Sequence, residues 1–179
     1  LNRGLQTFQF YRLGSSAANE DIILTGAQDN GVQYHDDLSW LQIGILADGM
    51  ECIIDYSDIN IIYISYQYAY LYRYGGFGNL VLPPLAGDPS KWAWVTPYVI
   101  HPSKPQVLFI GGKDIYKTTN RGNNWYEYSS QLTAKDGVGG GMLRTMAESE
   151  SNPDSVLYAA SYVVVYKTSD AGATWNNIT

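Results

Sequence analysis

Short stretches of alternating apolar and polar residues, separated by turn-forming residues, dominate this 179-residue chain. Residues 163–169 (VVVYKTS) combine β-branched and aromatic side chains in the manner of a strand. Residues 107–110 (VLFI) are wholly apolar, as in a strand buried on both faces. No segment has the caps and period of a helix, and residues 11–19 are polar and loop-like. The pattern predicts an all-β fold.

Two segments of the chain are copies of one unit. Residues 106–129 (QVLFIGGKDIYKTTNRGNNWYEYS) and residues 155–179 (SVLYAASYVVVYKTSDAGATWNNIT) share Tyr-Lys-Thr, then an Asx residue, a glycine and a tryptophan. Residues 61–74 (IIYISYQYAYLYRY) and 22–40 (IILTGAQDNGVQYHDDLSW) are weaker copies without the complete turn. A unit of about 45 to 50 residues with three or four short strands is typical of a propeller blade.

The repeat therefore predicts a β-propeller segment of about four blades that is part of a larger propeller. The approximate blades are residues 1–50, 51–97, 98–141 and 142–179. A piece of this kind would expose unpaired strands at its edges. We therefore expect its partners to be further propeller blades or another subunit.

The turn that ends each clear copy is predicted to be a structural device. A short Asx side chain accepts backbone hydrogen bonds, the glycine takes a conformation that a Cβ opposes, and the tryptophan packs between blades. The two tryptophans are 50 positions apart. The structural residues are Thr118, Asn120, Gly122 and Trp125 in one turn and Thr168, Asp170, Gly172 and Trp175 in the other.

These turns, T-x-N-x-G-x-x-W and T-x-D-x-G-x-x-W, resemble the Asp-box (BNR) repeat of sialidases, sortilin-like receptors and xyloglucan-hydrolysing endoglucanases. Four further segments are similar to sortilin-like propeller repeats of Bacteroidetes-type surface proteins: residues 2–9, 26–31, 47–52 and 101–106. The resemblance implies an extracellular or cell-surface propeller with Asp-box hairpins. It says less about function, because propellers host many roles.

Carboxylates are the first candidates for catalysis, since glycoside hydrolysis requires two of them facing one cleft. Asp29 and Asp48 are the weak candidates, and like Asp136 they lie in glycine-rich loops. Their glycine neighbours explain all three as turn residues. The xyloglucanase-like families have a G-D-G loop near the active cleft, and Ala47-Asp48-Gly49 departs from that pattern.

Other chemistry finds little support in the sequence. His35 and His101 lie in loops of different blades, so we expect no metal site. We also expect no cofactor, because the glycine-rich residues 137–141 (GVGGG) lack the Lys-Ser/Thr that follows in a phosphate-binding loop. Cys52 is expected in the core.

A sialidase would need three converging arginines, and no such arrangement stands out among Arg3, Arg12, Arg73, Arg121 and Arg144. Blade packing is expected for Tyr63, Tyr66, Tyr68, Tyr70, Tyr72 and Tyr74, with sugar stacking as the alternative.

Charge and composition limit the classes of partner. The formal net charge is −6, which gives no basic footprint for nucleic acid. No apolar segment is long enough to span a bilayer. Together with the extracellular location that the resemblance implies, these observations lead us to expect a noncatalytic, secreted scaffold or recognition module that binds protein or glycan. The alternative is a polysaccharide-cleaving glycoside hydrolase whose active site is shared with missing blades.

Overall fold

The computed structural model describes residues 8–75, 79–129, 132 and 141–179. Within these ranges the chain forms sixteen short strands and a 3₁₀ turn at Gln67–Ala69. The strands are β1 Phe10–Ser15, β2 Ile22–Ala27, β3 Gly31–Asp36, β4 Trp40–Ile43, β5 Cys52–Ile54, β6 Ile62–Tyr66, β7 Tyr70–Tyr74, β8 Asn79–Leu80, β9 Tyr98–Ile100, β10 Leu108–Gly111, β11 Ile115–Thr118, β12 Tyr126–Ser129, β13 Thr145–Glu148, β14 Leu157–Ala160, β15 Val165–Thr168 and β16 Asn176–Asn177.

Each group of four consecutive strands forms one antiparallel sheet in chain order, from β1-β2-β3-β4 to β13-β14-β15-β16. Short turns between neighbouring strands favour this sequential pairing. The four sheets are the blades of a β-propeller, which confirms the predicted fold class. The described part of the chain has no helix of the length and apolar character needed to cross a bilayer.

The core lies in three layers between successive blades. Leu24 and Val32 of the first blade pack with Ile64 of the second. Corresponding clusters join the second blade to the third and the third to the fourth. Cys52 belongs to the first layer, where burial raises the pKa of its thiol. Alternate residues of β10 thus face different neighbours, because Leu108 and Ile110 lie in the layer towards the second blade and Phe109 lies in the layer towards the fourth. This explains why β10 is apolar throughout.

The expectation of a loop at residues 11–19 is wrong for residues 11–15, which belong to β1. β1 pairs with β2 in antiparallel register, with Leu13 opposite Thr25. Its low strand propensity has a packing reason, since a Cβ at Gly14 would lie 2.4 Å from the Cys52 carbonyl oxygen in β5. Arg12 reaches the same neighbouring strand region and pairs with Glu51 at 3.2 Å. The polar residues therefore serve contacts between blades, which composition alone did not indicate.

Apolar side chains are exposed on the outer faces of the first and fourth blades. Leu13 and Trp40 share one face of the first sheet by strand register and are 63% and 53% exposed. Val165 and Ile178 of the fourth blade are 37% and 48% exposed. None of the three core layers of the described residues joins these two blades. We call the two surfaces the first free face and the fourth free face.

Candidate functional site

The turn at residues 118–125 closes on itself through side-chain hydrogen bonds. It joins β11 to β12, the third and fourth strands of its blade. Asn120 Oδ1 accepts a bond from the Asn124 backbone N–H at 2.9 Å and another from the Thr118 hydroxyl at 2.9 Å. Thr118 Oγ1 in turn accepts from the Gly122 N–H at 3.0 Å. These bonds satisfy donors that a tight turn would otherwise leave unpaired.

The turn at residues 168–175 repeats this arrangement. Asp170 Oδ1 accepts from the Thr174 N–H at 2.9 Å and from the Thr168 hydroxyl at 2.8 Å, and Gly172 donates to Thr168 Oγ1 at 2.9 Å. Hydrogen bonding, chiefly from the Thr174 side chain, lowers the pKa of the Asp170 carboxyl. The carboxylate is thus occupied in holding the turn.

Each turn is pressed against the preceding blade. Gly122 and Gly172 have φ of +86° and +87°. A Cβ would lie 2.8 Å from the Val81 side chain at Gly122, and 2.7 Å from the Tyr128 ring at Gly172. Glycine is required at both positions by conformation and by space.

Each tryptophan contacts the preceding-blade residue that its turn glycine meets, but the two contacts differ in kind. Trp125 Nε1 donates to the Val81 carbonyl at 2.9 Å. Trp175 meets the Tyr128 ring edge-on, with centroids 6.3 Å apart, and its buried Nε1 has no hydrogen-bond partner in the described part of the chain. Both side chains are half-buried between blades.

Of the candidate catalytic residues, Asp48 holds loops through its carboxylate, and one of these bonds comes from the backbone of Asp29. Asp48 Oδ1 accepts from the Asp29 N–H at 2.7 Å, and Asp48 Oδ2 accepts from Gln67 Nε2 at 2.9 Å. Asp29 has φ of +58°, a turn conformation that Asp tolerates. Asp136 lies outside the described residues. Asp48 therefore joins a loop of the first blade to a turn of the second.

The two histidines lie in different environments. His35 lies in β3, which corrects the expectation that it lies in a loop, and its ring contacts that of Trp40 with centroids 4.8 Å apart. His101 is buried beyond the end of β9, between the third and fourth blades. No group of three or more His, Cys, Asp or Glu side chains that could hold a metal ion occurs among the described residues.

A cluster of ionisable groups, with His101 and Glu148 buried and Asp154 and Lys104 exposed, was not predicted from the sequence. His101 Nε2 lies 3.3 Å from Asp154 Oδ1 and 4.0 Å from Glu148 Oε2. The Ser103 N–H donates to Nδ1, which leaves the imidazole proton of the neutral ring on Nε2. Lys104 pairs with Asp154 on the exposed side. The signal available was the spacing of Lys104 and Asp154, opposite charges 50 positions apart in successive repeats.

Glu148 is the most unusual member of this cluster. Its side chain is 4% exposed, and neither oxygen has a hydrogen-bond partner within the described ranges. Burial raises the pKa of Glu148 to about 7, with Asp154 adding to the effect and Lys117 opposing it. Burial also lowers the pKa of His101. The cluster can hold a proton near neutral pH, but Glu148 has little access to a substrate.

The arginines divide among separate roles. Arg121 pairs at 3.3 Å with the fully buried Asp55, and Arg73 Nη1 donates to the Arg121 carbonyl at 2.7 Å. Arg12 pairs with Glu51, while Arg144 lies over the Tyr162 ring at 4.5 Å. Arg3 is outside the described residues. The four described arginines therefore form no converging triad.

The tyrosines of the second blade differ in burial. Tyr63 and Tyr66 are buried in the core, and Tyr72 and Tyr74 pack beside it. Tyr68 is half-buried and meets Trp94 edge-on at 5.2 Å. Tyr70 is exposed, with 42% of its surface accessible.

Solved structures similar to this chain are propeller proteins of low sequence identity. An ancestral GH74 enzyme matches with a TM-score of 0.75 and 16% identity over 96% of this chain and 24% of its own. The GH74 xyloglucanase from Xanthomonas campestris gives 0.63 and 16% over 94% and 29%. The extracellular domain of a proposed one-component system from B. thetaiotaomicron gives 0.71 and 13% over 98% and 23%.

These likenesses establish the fold alone. The chain spans about a quarter of the length of these structures. No protein-family profile matches the chain, and neither does any curated protein.

Proposed function

We propose that this protein is a noncatalytic extracellular propeller module that recognises protein or glycan. The observation that carries the proposal is the position of Asp48, whose two carboxylate oxygens are both occupied by hydrogen bonds that join loops. A carboxylate so occupied is poorly placed to act as a nucleophile or to exchange protons with a substrate. The extracellular location is supported by the extracellular domain among the similar structures.

We infer that the two closed turns are Asp-box hairpins that fix neighbouring blades together. Their support is the matched set of bonds to Asn120 and Asp170 and the contact of each following glycine with the preceding blade. In this proposal the motif serves the scaffold and leaves recognition to other loops.

The fourth free face supports further blades as partners. In the third blade, Lys117 lies 5.1 Å from the Phe109 ring, and this face packs on the fourth blade. The fourth blade repeats the pair as Lys167 at 5.6 Å from Tyr158. Ile178, exposed, is 50 positions after Tyr128, the residue that receives the Gly172 turn. The face thus has the chemistry of an interface between blades, and we infer that another blade covers it.

A glycoside hydrolase is the second candidate, favoured by one specific observation. Glu148, with its pKa raised to about 7, and Asp154, with its pKa lowered by hydrogen bonding to Lys104, flank one imidazole nitrogen. Two carboxyl groups with separated pKa values are the signature of an acid and its partner. The burial of Glu148 counts against this role, because a sugar must reach the acid.

The test is hydrolysis of xyloglucan and other β-glucans by the intact protein, beside Asp29→Ala, Asp48→Ala and Glu148→Gln variants. The proposal expects no turnover above the background set by heat-denatured protein. Turnover that disappears in any one folded variant would replace the recognition role with the hydrolase. Binding of a polysaccharide or protein without turnover would support recognition.

A further inference from the structure

The turn between β6 and β7 is strained in a way that needs an explanation. Tyr68 has φ of +56° and ψ of +46°, and the next residue, Ala69, has φ of +65°. Two successive residues with a Cβ in the left-handed region are costly, because the Cβ crowds the following carbonyl. Strain of this kind persists where surrounding structure imposes it, and it concentrates at ligand-binding sites.

The connection between the second and third blades, residues 81–97, holds this turn in place. The Tyr68 N–H donates to the Trp94 carbonyl at 3.3 Å, and the Gly87 N–H donates to the Tyr68 carbonyl at 2.7 Å. Gly87 has φ of +90°, and a Cβ there would lie 2.7 Å from the Tyr70 ring. Buried Trp92 anchors the connection, with its Nε1 donating to the Pro84 carbonyl at 3.2 Å. A long connection without strands is typically a functional loop.

The product of this arrangement is an aromatic surface at the end of the blade. Trp94 is 41% exposed, and its ring meets that of Tyr68 at 5.2 Å and 89°. An isolated exposed tryptophan needs no explanation. Here, however, the backbone of Trp94 is bonded to the strained residue whose ring it contacts, so the geometry of the pair is imposed by both loops.

Hydrogen-bonding groups are found next to Tyr68 along the chain. Gln67 directly precedes Tyr68, and its amide donates to Asp48, which also holds Asp29. A pyranose ring presents an apolar C–H face that packs on aromatic rings, and hydroxyl groups that bond to amides and carboxylates. The carboxylates of Asp29 and Asp48 and the net charge of −6 disfavour acidic polymers.

We propose that Tyr68 and Trp94 form the binding surface for a neutral polysaccharide, with Gln67 supplying polar contacts. This inference rests on the proposed recognition function and names its ligand class and site. The strained turn is the positioning device, because it orients the Tyr68 ring towards Trp94 before the ligand arrives. Preorganisation of this kind reduces the entropy that binding costs.

The experiment measures binding of the intact protein to xyloglucan, mixed-linkage β-glucan and galactomannan, with polygalacturonate as the acidic comparison. Isothermal titration calorimetry is applied to the wild type and to Trp94→Ala, Trp94→Phe and Trp40→Ala. We expect Trp94→Ala to weaken binding of at least one neutral polymer tenfold or more. Trp94→Phe keeps an aromatic face and should retain most of the affinity. Trp40→Ala removes a more exposed tryptophan on the first free face and should leave the affinity unchanged.

The outcomes separate this inference from the proposed function. Neutral-polymer binding that is equally strong in a folded Trp94→Ala variant, or equally reduced in Trp40→Ala, overturns the site and leaves the recognition role standing. Binding of polygalacturonate alone, or of no polysaccharide by the wild type, overturns the ligand class and the inference with it. Hydrolysis of the polymers by the wild type overturns the recognition role itself.

Discussion

His101 Nε2 and Glu148 Oε2 face each other at 4.0 Å across the interface between the third and fourth blades, and both side chains are almost fully buried. Lys117 and Asp154 also act electrostatically on Glu148. The charge of Glu148 in turn adds to the effect of burial in raising the pKa of the Tyr56 and Tyr128 phenol groups. A carboxyl group enclosed in this way binds its proton more tightly when folded than when unfolded. The interface is therefore expected to weaken as Glu148 loses its proton.

Glu148→Gln should remove a pH dependence of stability. The pKa of Glu148 rises from 4.5 to about 7 on folding, so its favourable contribution is complete below pH 4.5 and is lost as pH rises through 7. Relative to the variant, the wild type should lose about 1 to 3 kcal/mol of unfolding free energy between pH 4.5 and 8. Urea denaturation of both proteins at several pH values measures this difference.

The histidine acts in the opposite direction and provides the check. The pKa of His101 lies below 6.5 in the folded state, so its contribution is lost as pH falls. That effect remains largely present in Glu148→Gln and largely cancels in the difference between the two proteins. Parallel stability curves for wild type and variant would contradict the role given to Glu148.

Alanine at the turn glycines should be more destabilising than the left-handed backbone alone explains. Gly172→Ala and Gly122→Ala combine a positive φ with contacts under 3 Å, and we expect each to cost about 2 to 4 kcal/mol. Gly141→Ala is the matched control, because Gly141 has φ of +64° and no atom within 4 Å of its Cβ position. Its cost should be about 1 to 2 kcal/mol. Equal losses of melting temperature in all three variants would show that packing against the preceding blade is unimportant.

The two tryptophans should respond differently to phenylalanine. Trp125→Phe removes the N–H that donates to the Val81 carbonyl, and it leaves that oxygen without this donor. Trp175→Phe removes an N–H that is buried without a partner in the described part of the chain. Trp125→Phe should therefore be about 1 kcal/mol more destabilising. Both alanine variants should cost about 3 to 5 kcal/mol, so a double comparison by denaturation separates hydrogen bonding from packing.

The internal repeat accounts for most of what the sequence predicted. Equivalent turns of successive blades come together, as with Lys104 and Asp154, which are 50 positions apart. A repeat period therefore predicts contacts between blades as well as strands within them. The blade arrangement followed from this regularity without any knowledge of loops.

Features outside the repeat escaped prediction for physical reasons. Tyrosine does not favour the left-handed region, so the conformation of Tyr68 depends on its bonds to residues 81–97. Glu148 ends a strand, and nothing in its local sequence indicates that His101 of another blade covers it. β1 was not predicted because glycine has a low strand propensity, whereas Gly14 is required there by its close approach to the backbone of β5. Each case is decided by tertiary contacts.

Polar substitutions on the two free faces should reduce self-association of the chain without unfolding it. Trp40 and Ile178 are 53% and 48% exposed on the first and the fourth free face. Exposed apolar faces of this kind bind hydrophobic dyes and each other. We expect Trp40→Ser combined with Ile178→Ser to lower both dye fluorescence and the mass measured by light scattering at high concentration. Tyr126→Ser, at a residue 57% exposed on β12 of the third blade, is the matched control and should change neither.

A wild-type chain that stays monomeric and binds no dye would refute open faces. A reduction of the same size in the control would show that exposure of any aromatic residue suffices.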